Sequence, residues 1–301
     1  MITTANFTSK ENIDLSKEMA LVGATDCPFT TLLMSKGLTD KAGSVTINWR
    51  ERTLDSTADI SQEEGFTTET FKASARAEKS NIMEIFSKAV QISGTAQASD
   101  VTGINDLFAS EINDRLLETK INCEKKMLSK TNYDSGSESG VRQMKSIFEL
   151  VHADNIVNLA ATPNSVASLD FNTFISLPKK LWTAGVATNQ YICMVNADFK
   201  EQIDGFFADY ISYNQPMTTY GFIANRIQTN YGLVDVVLNR HVPIDSIILF
   251  APEYLRLSFL RKPFYEMLAK DGDNIKGQVL TEMSLKAYNS KAIAIAMPEE
   301  D

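Results

Sequence analysis

The chain has 301 residues, 44% hydrophobic and 22% charged, with a formal net charge of -9 at pH 7. That composition belongs to a folded globular protein of one large or two modest domains. The acidic excess is shared by both halves, which disfavours tight nucleic-acid binding but suits a mildly acidic wall facing packaged nucleic acid.

Residues 1–43 read as an arm rich in Thr, Ser and Asn, with apolar patches at Met19-Ala20-Leu21-Val22 and from Phe29 to Met34. Arms of this composition fold against a partner. Met1 to Lys17 has no apolar core of the secretory type, and no apolar run reaches membrane-spanning length, so no membrane is expected as a partner.

From Ser44 to Gly94 the pattern is a long hairpin. Val45, Ile47 and Trp49 share one face of the outgoing strand, and Phe71 to Ala77 alternate in the same way on the return, which continues through Ile82 to Ile92. Between them, Thr53 to Thr70 carries Asp55, Asp59, Glu63, Glu64 and Glu69 with no Lys or Arg. A loop of this length without its own core is usually functional or disordered. A hairpin with a charged tip buries little against its own chain, and it is explained as an arm that overlies a neighbouring subunit.

Ile104 to about Lys130 forms the clearest helix: Ile104, Leu107, Phe108, Ile112 and Leu116 keep helical spacing, acids crowd its first half, and Lys125, Lys126 and Lys130 its end. The Gly/Ser segment from Tyr133 to Gly140 reads as a connector, because no Gly-Lys-Ser/Thr follows it. Beyond Ser146 the pattern turns α/β. A helix spans Phe171 to Gly185, started or interrupted at Pro178, and Tyr191 to Val195 is an apolar strand covered on both faces. A second helix, capped by Asn196, carries an aromatic stripe from Phe199 to Tyr210. A loop at Tyr213-Asn214-Gln215-Pro216 follows, then a hairpin turning at Asn230-Tyr231-Gly232. The last sixty residues read as a strand at Ser246–Phe250, a polar loop at Asp271–Asn274, and a closing hairpin of Gln278–Tyr288 with Ala292–Met297. Its final strand is expected to pack on the long helix.

Chemistry is sparse. His152 and His241 lack ligand-spaced partners, and Cys27, Cys123 and Cys193 fit no metal or redox spacing, which reads as buried reduced thiols made in a cytoplasm. No nucleophile elbow, dinucleotide fingerprint or phosphate loop is present. Glu63 and Glu64 are adjacent residues of an exposed loop, and they are better read as a solvated tip than as an acid–base pair. No catalytic, metal or cofactor-binding residue is assigned.

The order of elements resembles a tailed-bacteriophage major capsid protein with the Hong Kong phage type fold, an α+β class. The residues that carry the resemblance lie in three places. Pro28-Phe29 with Leu32-Leu33 leads to Trp49-Arg50-Glu51; Ile85-Phe86-Ser87-Lys88 runs into Val90 to Thr95; and Tyr254, Leu260-Arg261 and Pro263-Phe264 precede Leu268 to Asp273, Lys276-Gly277 and Thr281 to Leu285. The resemblance implies an N-terminal arm (1–43), an E-loop hairpin (44–94), a P-domain spine helix and connector (95–150), an A-domain (151–245) and a return through the A-domain into the P-domain β-hairpin (246–301).

It also implies hexamers and pentamers of an icosahedral shell around double-stranded DNA held by weak nonspecific contact. A separate scaffolding protein, a portal and decoration proteins are the implied partners, and synthesis in the bacterial host cytoplasm is followed by residence in the virion. On this picture Trp49 and Phe66 anchor the hairpin on a neighbour, with Arg50, Arg52, Asp55, Asp59, Glu63, Glu64 and Glu69 in the same interface. Lys125, Lys126, Lys130, Arg261 and Lys262 are the candidate basic partners of the acidic tip, and Tyr213 to Pro216 would lie near the capsomer axis. An encapsulin-like shell around cargo enzymes is the alternative with the same fold; an α/β enzyme with an unread site is the alternative with another.

Overall fold

The computed structural model describes residues 26–54, 59–68, 71, 73–99, 106–137, 140–161, 163–186, 188, 190–206 and 226–299. The Met19–Val22 patch, Asp55, Glu69, Ile104, Phe207, Tyr210 and the loop at Tyr213, Asn214, Gln215 and Pro216 lie outside the described residues.

Two sheets and one hairpin organise the chain. The first sheet has four strands in the order β1 (Thr39–Lys41), β10 (Leu255–Met267), β11 (Asn274–Ala287), β4 (Glu84–Ser93), antiparallel except for the parallel β1–β10 pair. Helix α3 (Leu107–Met127) lies across β4 and β11. It starts where Asp106 accepts hydrogen bonds from the amides of Phe108 (3.0 Å) and Ala109 (3.1 Å), which satisfies two of the orphan donors of a helix N-terminus. At 1.5 Å per residue it spans about 30 Å.

The second sheet has six strands, ordered β5 (Ile156–Leu159), β12 (Ile293–Pro298), β9 (Ile247–Phe250), β6 (Gln190–Val195), β8 (Gly232–Leu238), β7 (Arg226–Thr229). Its central strands are apolar on both faces because both faces are covered. Ile192, Met194, Ile248, Phe250, Ile293 and Ile295 join one core with Phe29 and Met127. Their alternates Tyr191, Cys193, Val195, Ile247, Leu249, Ala294 and Ala296 join the other, under Phe174, Leu177 and Leu181 of helix α5 (Phe171–Thr183). Small alanines on the α5 side of β12 let that helix approach. Helix α6 (Ala197–Phe206) adds Phe199 and Ile203 to the same layer, so the aromatic stripe is core in its described part.

Three expectations are corrected. The strand at Gln278–Tyr288 does not hairpin with the last strand: it pairs with β10 and β4, while β12 sits in the other sheet between β5 and β9. A strand buried on both faces needs partners on both edges and layers above and below, and a free terminal hairpin supplies neither. For the same reason the main helical neighbour of β12 is α5; its Ile face shares a core with only the C-terminal end of α3. Pro178 neither starts nor interrupts its helix. It lies inside α5, which continues past the missing amide with the ring buried.

The arm, the long helix and the six-stranded sheet meet at one buried carboxylate. Helix α1 (Pro28–Ser35) begins with Pro at its first position, and the next two amides point at Glu124 of α3. Glu124 Oε1 accepts from Phe29 N (3.0 Å) and from Asn239 Nδ2 (2.7 Å), and Oε2 accepts from Thr30 N (2.9 Å). Glu124 is fully buried. The N-terminus of a helix favours an anion, so a side chain of the same protein occupies that site. Asn239, directly after β8, is itself held by its amide to Val195 O (2.9 Å) and by accepting from His241 N (2.9 Å).

Glu124→Ala leaves three buried donors without an acceptor. At ~1–3 kcal/mol for each, we expect a loss of at least about 3 kcal/mol in urea unfolding of the unassembled subunit. A loss under about 1 kcal/mol would show that the carboxylate is not the junction described.

Candidate intersubunit surface

The hairpin consists of β2 (Thr46–Thr53) and β3 (Ala75–Ile82), antiparallel, with Thr46 opposite Ile82 and Thr53 opposite Ala75. Its root is locked. Trp49 is buried in the subunit's own core, against the expectation that it anchors the hairpin on a neighbour; its place on the apolar face near the root turns it inward. Glu51 accepts from Ser290 N (2.7 Å) and Ser290 Oγ (2.9 Å) at the entry to β12. Asn81 donates to Leu285 O (2.7 Å) and Lys145 O (3.1 Å) and accepts from Lys145 N (2.8 Å). The chain beyond the hairpin does not stay with it: β4 leaves to pair with β11.

The far end is free. Among the described tip residues Ile60 is 85% exposed, Phe66 55% and Phe71 88%, and Leu54 is exposed too. Phe66 was legible as an apolar residue in an acidic loop. Ile60 carries the same signal, and Phe71, expected in an alternating strand, lies ahead of β3, which begins at Ala75. Asp59, Glu63 and Glu64 are solvent-facing beside these side chains. The amide and hydroxyl of Ser61 hold the Asp59 carboxyl below the usual carboxylate range, the amide at 3.0 Å. Nearer the root Arg50 is exposed, and Arg52 stands opposite Arg76, two exposed guanidiniums with no carboxylate partner among the described residues. Like charges in register repel, so the shaft is basic where the tip is acidic.

The five basic residues expected to receive the tip are not equivalent. Lys130 is paired with Asp245 (2.7 Å), and Arg261 with the buried Glu282 (2.9 Å), which also holds Arg142 (3.0 Å). Lys126 donates to Gln143 Oε1 (2.8 Å). These three serve their own subunit. Lys125 and Lys262 are exposed, with no ion pair among the described residues.

Cys27, Cys123 and Cys193 are buried and free of disulfides, and burial pushes their thiols up to about 11, 12 and 12. Among the described residues no cluster of three or more His, Cys, Asp or Glu could hold a metal ion, and no helix is long and apolar enough to cross a membrane.

The whole arrangement is shared with phage heads. The subunit of the cyanophage A-1(L) capsid superposes with a TM-score of 0.71 at 10% identity, covering 98% of this chain and 99% of that one. The capsid subunit of cyanophage P-SCSP1u gives 0.62 at 11% identity over 100% and 97%. The SrpI encapsulin of Synechococcus elongatus PCC 7942 gives 0.54 at 9% identity over 93% and 92%. A locked body with a projecting hairpin and a long helix under a sheet is thus the Hong Kong phage type fold of shell-forming proteins. Residues 2–298 match the family model of the SU10 major capsid protein, and the chain belongs to that family. No curated protein sequence matches it. It is a structural protein of the phage virion that self-assembles into an icosahedral capsid, and the family match decides against the encapsulin alternative.

Two outcomes test the root and the strand that leaves it. Glu51→Ala should raise amide exchange in β2 by at least about tenfold, the rate ratio for ~1.4 kcal/mol of lost local stability; unchanged exchange would sink the lock. The second concerns Glu84, at the start of β4, buried beside Lys126 and accepting from Met144 N (3.0 Å). Burial raises its carboxyl above the ordinary value, and the Met144 amide and Lys126 offset this only in part. The folded form therefore binds the proton more tightly than the unfolded form, and stability falls as pH rises through that interval. The stability advantage of Glu84→Gln over the parent should grow from about pH 4 to about pH 7; a pH-independent difference in unfolding midpoint would refute this.

Proposed function

We propose that the hairpin tip is the clamp by which one subunit holds the next in the capsomer. The exposure of Ile60, Phe66 and Phe71 on a hairpin whose root is locked carries this reading. Full burial of a large apolar side chain contributes ~1.5–3 kcal/mol, whereas an exposed ion pair contributes about 0–1 kcal/mol. The aromatic and aliphatic anchors therefore supply most of the affinity, and Asp59, Glu63 and Glu64, with Asp55 and Glu69, set register and salt dependence. Lys125 and Lys262 on the neighbour, or the Arg52–Arg76 pair of its hairpin shaft, are the cations left to meet them. Repetition around hexamers and pentamers makes weak contacts sufficient.

On this reading residues 44–94 hold the E-loop, residues 95–150 and the first sheet the P-domain, and residues 151–245 the A-domain. Tyr213 to Pro216 then face the capsomer axis. The role is architectural, without catalysis or cofactor. The double-stranded DNA inside is held by weak nonspecific contact, in keeping with the net charge of -9. A separate scaffolding protein, a portal and decoration proteins are the further partners, and assembly takes place in the cytoplasm of the bacterial host.

Electron microscopy of subunits co-expressed with the neighbouring head genes tests the clamp. Ile60→Ala with Phe66→Ala should abolish closed shells while leaving the unfolding midpoint of the subunit unchanged. Glu63→Lys with Glu64→Lys should give a milder defect that lessens as salt is raised. Normal shells from the apolar pair would end the clamp proposal, and normal shells with unchanged salt sensitivity from the charge reversal would end its electrostatic part.

A further inference from the structure

An open cleft of about 740 Å³ lies where the C-terminal end of α5 meets the β7–β8 turn and the start of β6. Trp182, Tyr231, Gln190, Asn230 and Glu253 line it, and no Lys or Arg among the described residues does. Trp182 is 61% exposed, whereas the other tryptophan, Trp49, is buried. The Trp182 ring leans on Tyr231 with centroids 5.9 Å apart, which fixes the orientation of an otherwise solvated indole. Glu253 is exposed, and its carboxylate makes one polar contact among the described residues, with the Thr188 hydroxyl at 3.5 Å, the outer limit of a hydrogen bond. Asp235, by contrast, is already held by Arg226 (2.6 Å) and by Gln190.

We infer that this cleft is a guanidinium site, filled in the shell by Arg52 or Arg76 of a second copy. Three features favour a cation there. The faces of Trp182 and Tyr231 carry the negative side of the ring quadrupole. The end of α5, closed at Gly185 with φ +78°, presents the negative pole of the helix. Glu253 supplies a full charge with no ion pair among the described residues. A planar guanidinium meets all three at once, because it stacks on the indole while offering two parallel N–H donors to the carboxylate; an ammonium is a point charge without that fork. Gln190, whose amide nitrogen is given to Asp235, keeps its oxygen as an acceptor for a further donor. The same chain carries the complementary group. Arg52 and Arg76 stand opposite each other on the hairpin shaft, exposed and without a carboxylate partner among the described residues. Like charges in register repel, so seating one guanidinium in an acidic, aromatic cleft relieves both surfaces. A shell of identical subunits repeats such a match at every equivalent contact. Lys125 and Lys262 then remain for the acidic tip. The inference rests on self-assembly of the chain and not on which tip residues form the clamp.

The cleft is tested first on the unassembled subunit, so its failure is separate from a failure of the clamp. The chain has two tryptophans, and fluorotryptophan labelling gives a fluorine resonance for each, assigned with Trp182→Phe. N-acetyl-argininamide should shift the Trp182 resonance saturably and leave that of Trp49 unmoved, and Glu253→Gln should weaken the binding at least about tenfold. No saturable shift, the same shift from neutral N-acetyl-glutaminamide, or unchanged affinity in Glu253→Gln would overturn the site. Assembled shells test the occupant. Trp182 of the parent should be oxidised by hydroxyl radicals at least about fivefold more slowly in shells than in the subunit, and Arg52→Ala with Arg76→Ala should remove that protection. Equal rates in the parent, or full protection in the variant, would overturn the second copy's arginine as the occupant. If the double variant forms no shells, Arg52→Ala and Arg76→Ala singly carry the same comparison.

Discussion

The fold depends on the placement of one carboxylate. Glu124 lies fully buried on α3, with its oxygens aimed at the first amides of α1 and at the Asn239 amide. A charge without these donors would not remain in an apolar interior, and the donors would not remain there without the charge. The arm helix, the long helix and the C-terminal end of β8 in the six-stranded sheet therefore share one electrostatic condition. It ties together segments 95 and 115 residues apart in the chain.

Around that junction the molecule divides into a part that is over-determined and a part that is left open. The six-stranded sheet carries a core on each face, so its central strands have no solvent side, and the hairpin root is held by Trp49, Glu51 and Asn81. The described residues of the tip have none of these constraints, and Ile60, Phe66 and Phe71 are exposed. A stiff lever with a sticky, acidic end suits a subunit that must find the same neighbour at every position of a shell. On the clamp proposal, the rigid root limits the entropy lost on docking and the tip is where the contact forms.

Charge is divided along the same line. Glu282 gathers Arg142 and Arg261, and Asp245 holds Lys130, so these three cations are spent inside the subunit. Among the described residues Lys125 and Lys262 lie outside without an ion pair, and the described tip is acidic. For a surface that must associate reversibly during assembly, weak and screened pairs around an apolar centre correct errors better than strong buried ones.

The linear sequence by itself determined the elements. Period-two alternation at Val45 to Trp49, helical spacing from Leu107 to Leu116 and the apolar runs at Tyr191 to Val195 and Ala292 to Met297 each reflect a local geometry that neighbouring residues impose. The order of those elements was enough to place the chain among phage capsid proteins. Tertiary structure alone decided which side of each element meets what. Trp49 sits on the same strand face as residues that point outward beyond the root, and only the position of the core turns it inward. The Ile and Ala faces of β12 are equally apolar in sequence, and only the two covering layers assign one to α3 and α1 and the other to α5. Lys125 and Lys130 are equivalent cations along the chain, yet Asp245, 115 residues from Lys130, neutralises one, while the other has no ion pair among the described residues. Such partners are long-range, and no local periodicity encodes a contact whose two halves meet only after the sheets have formed.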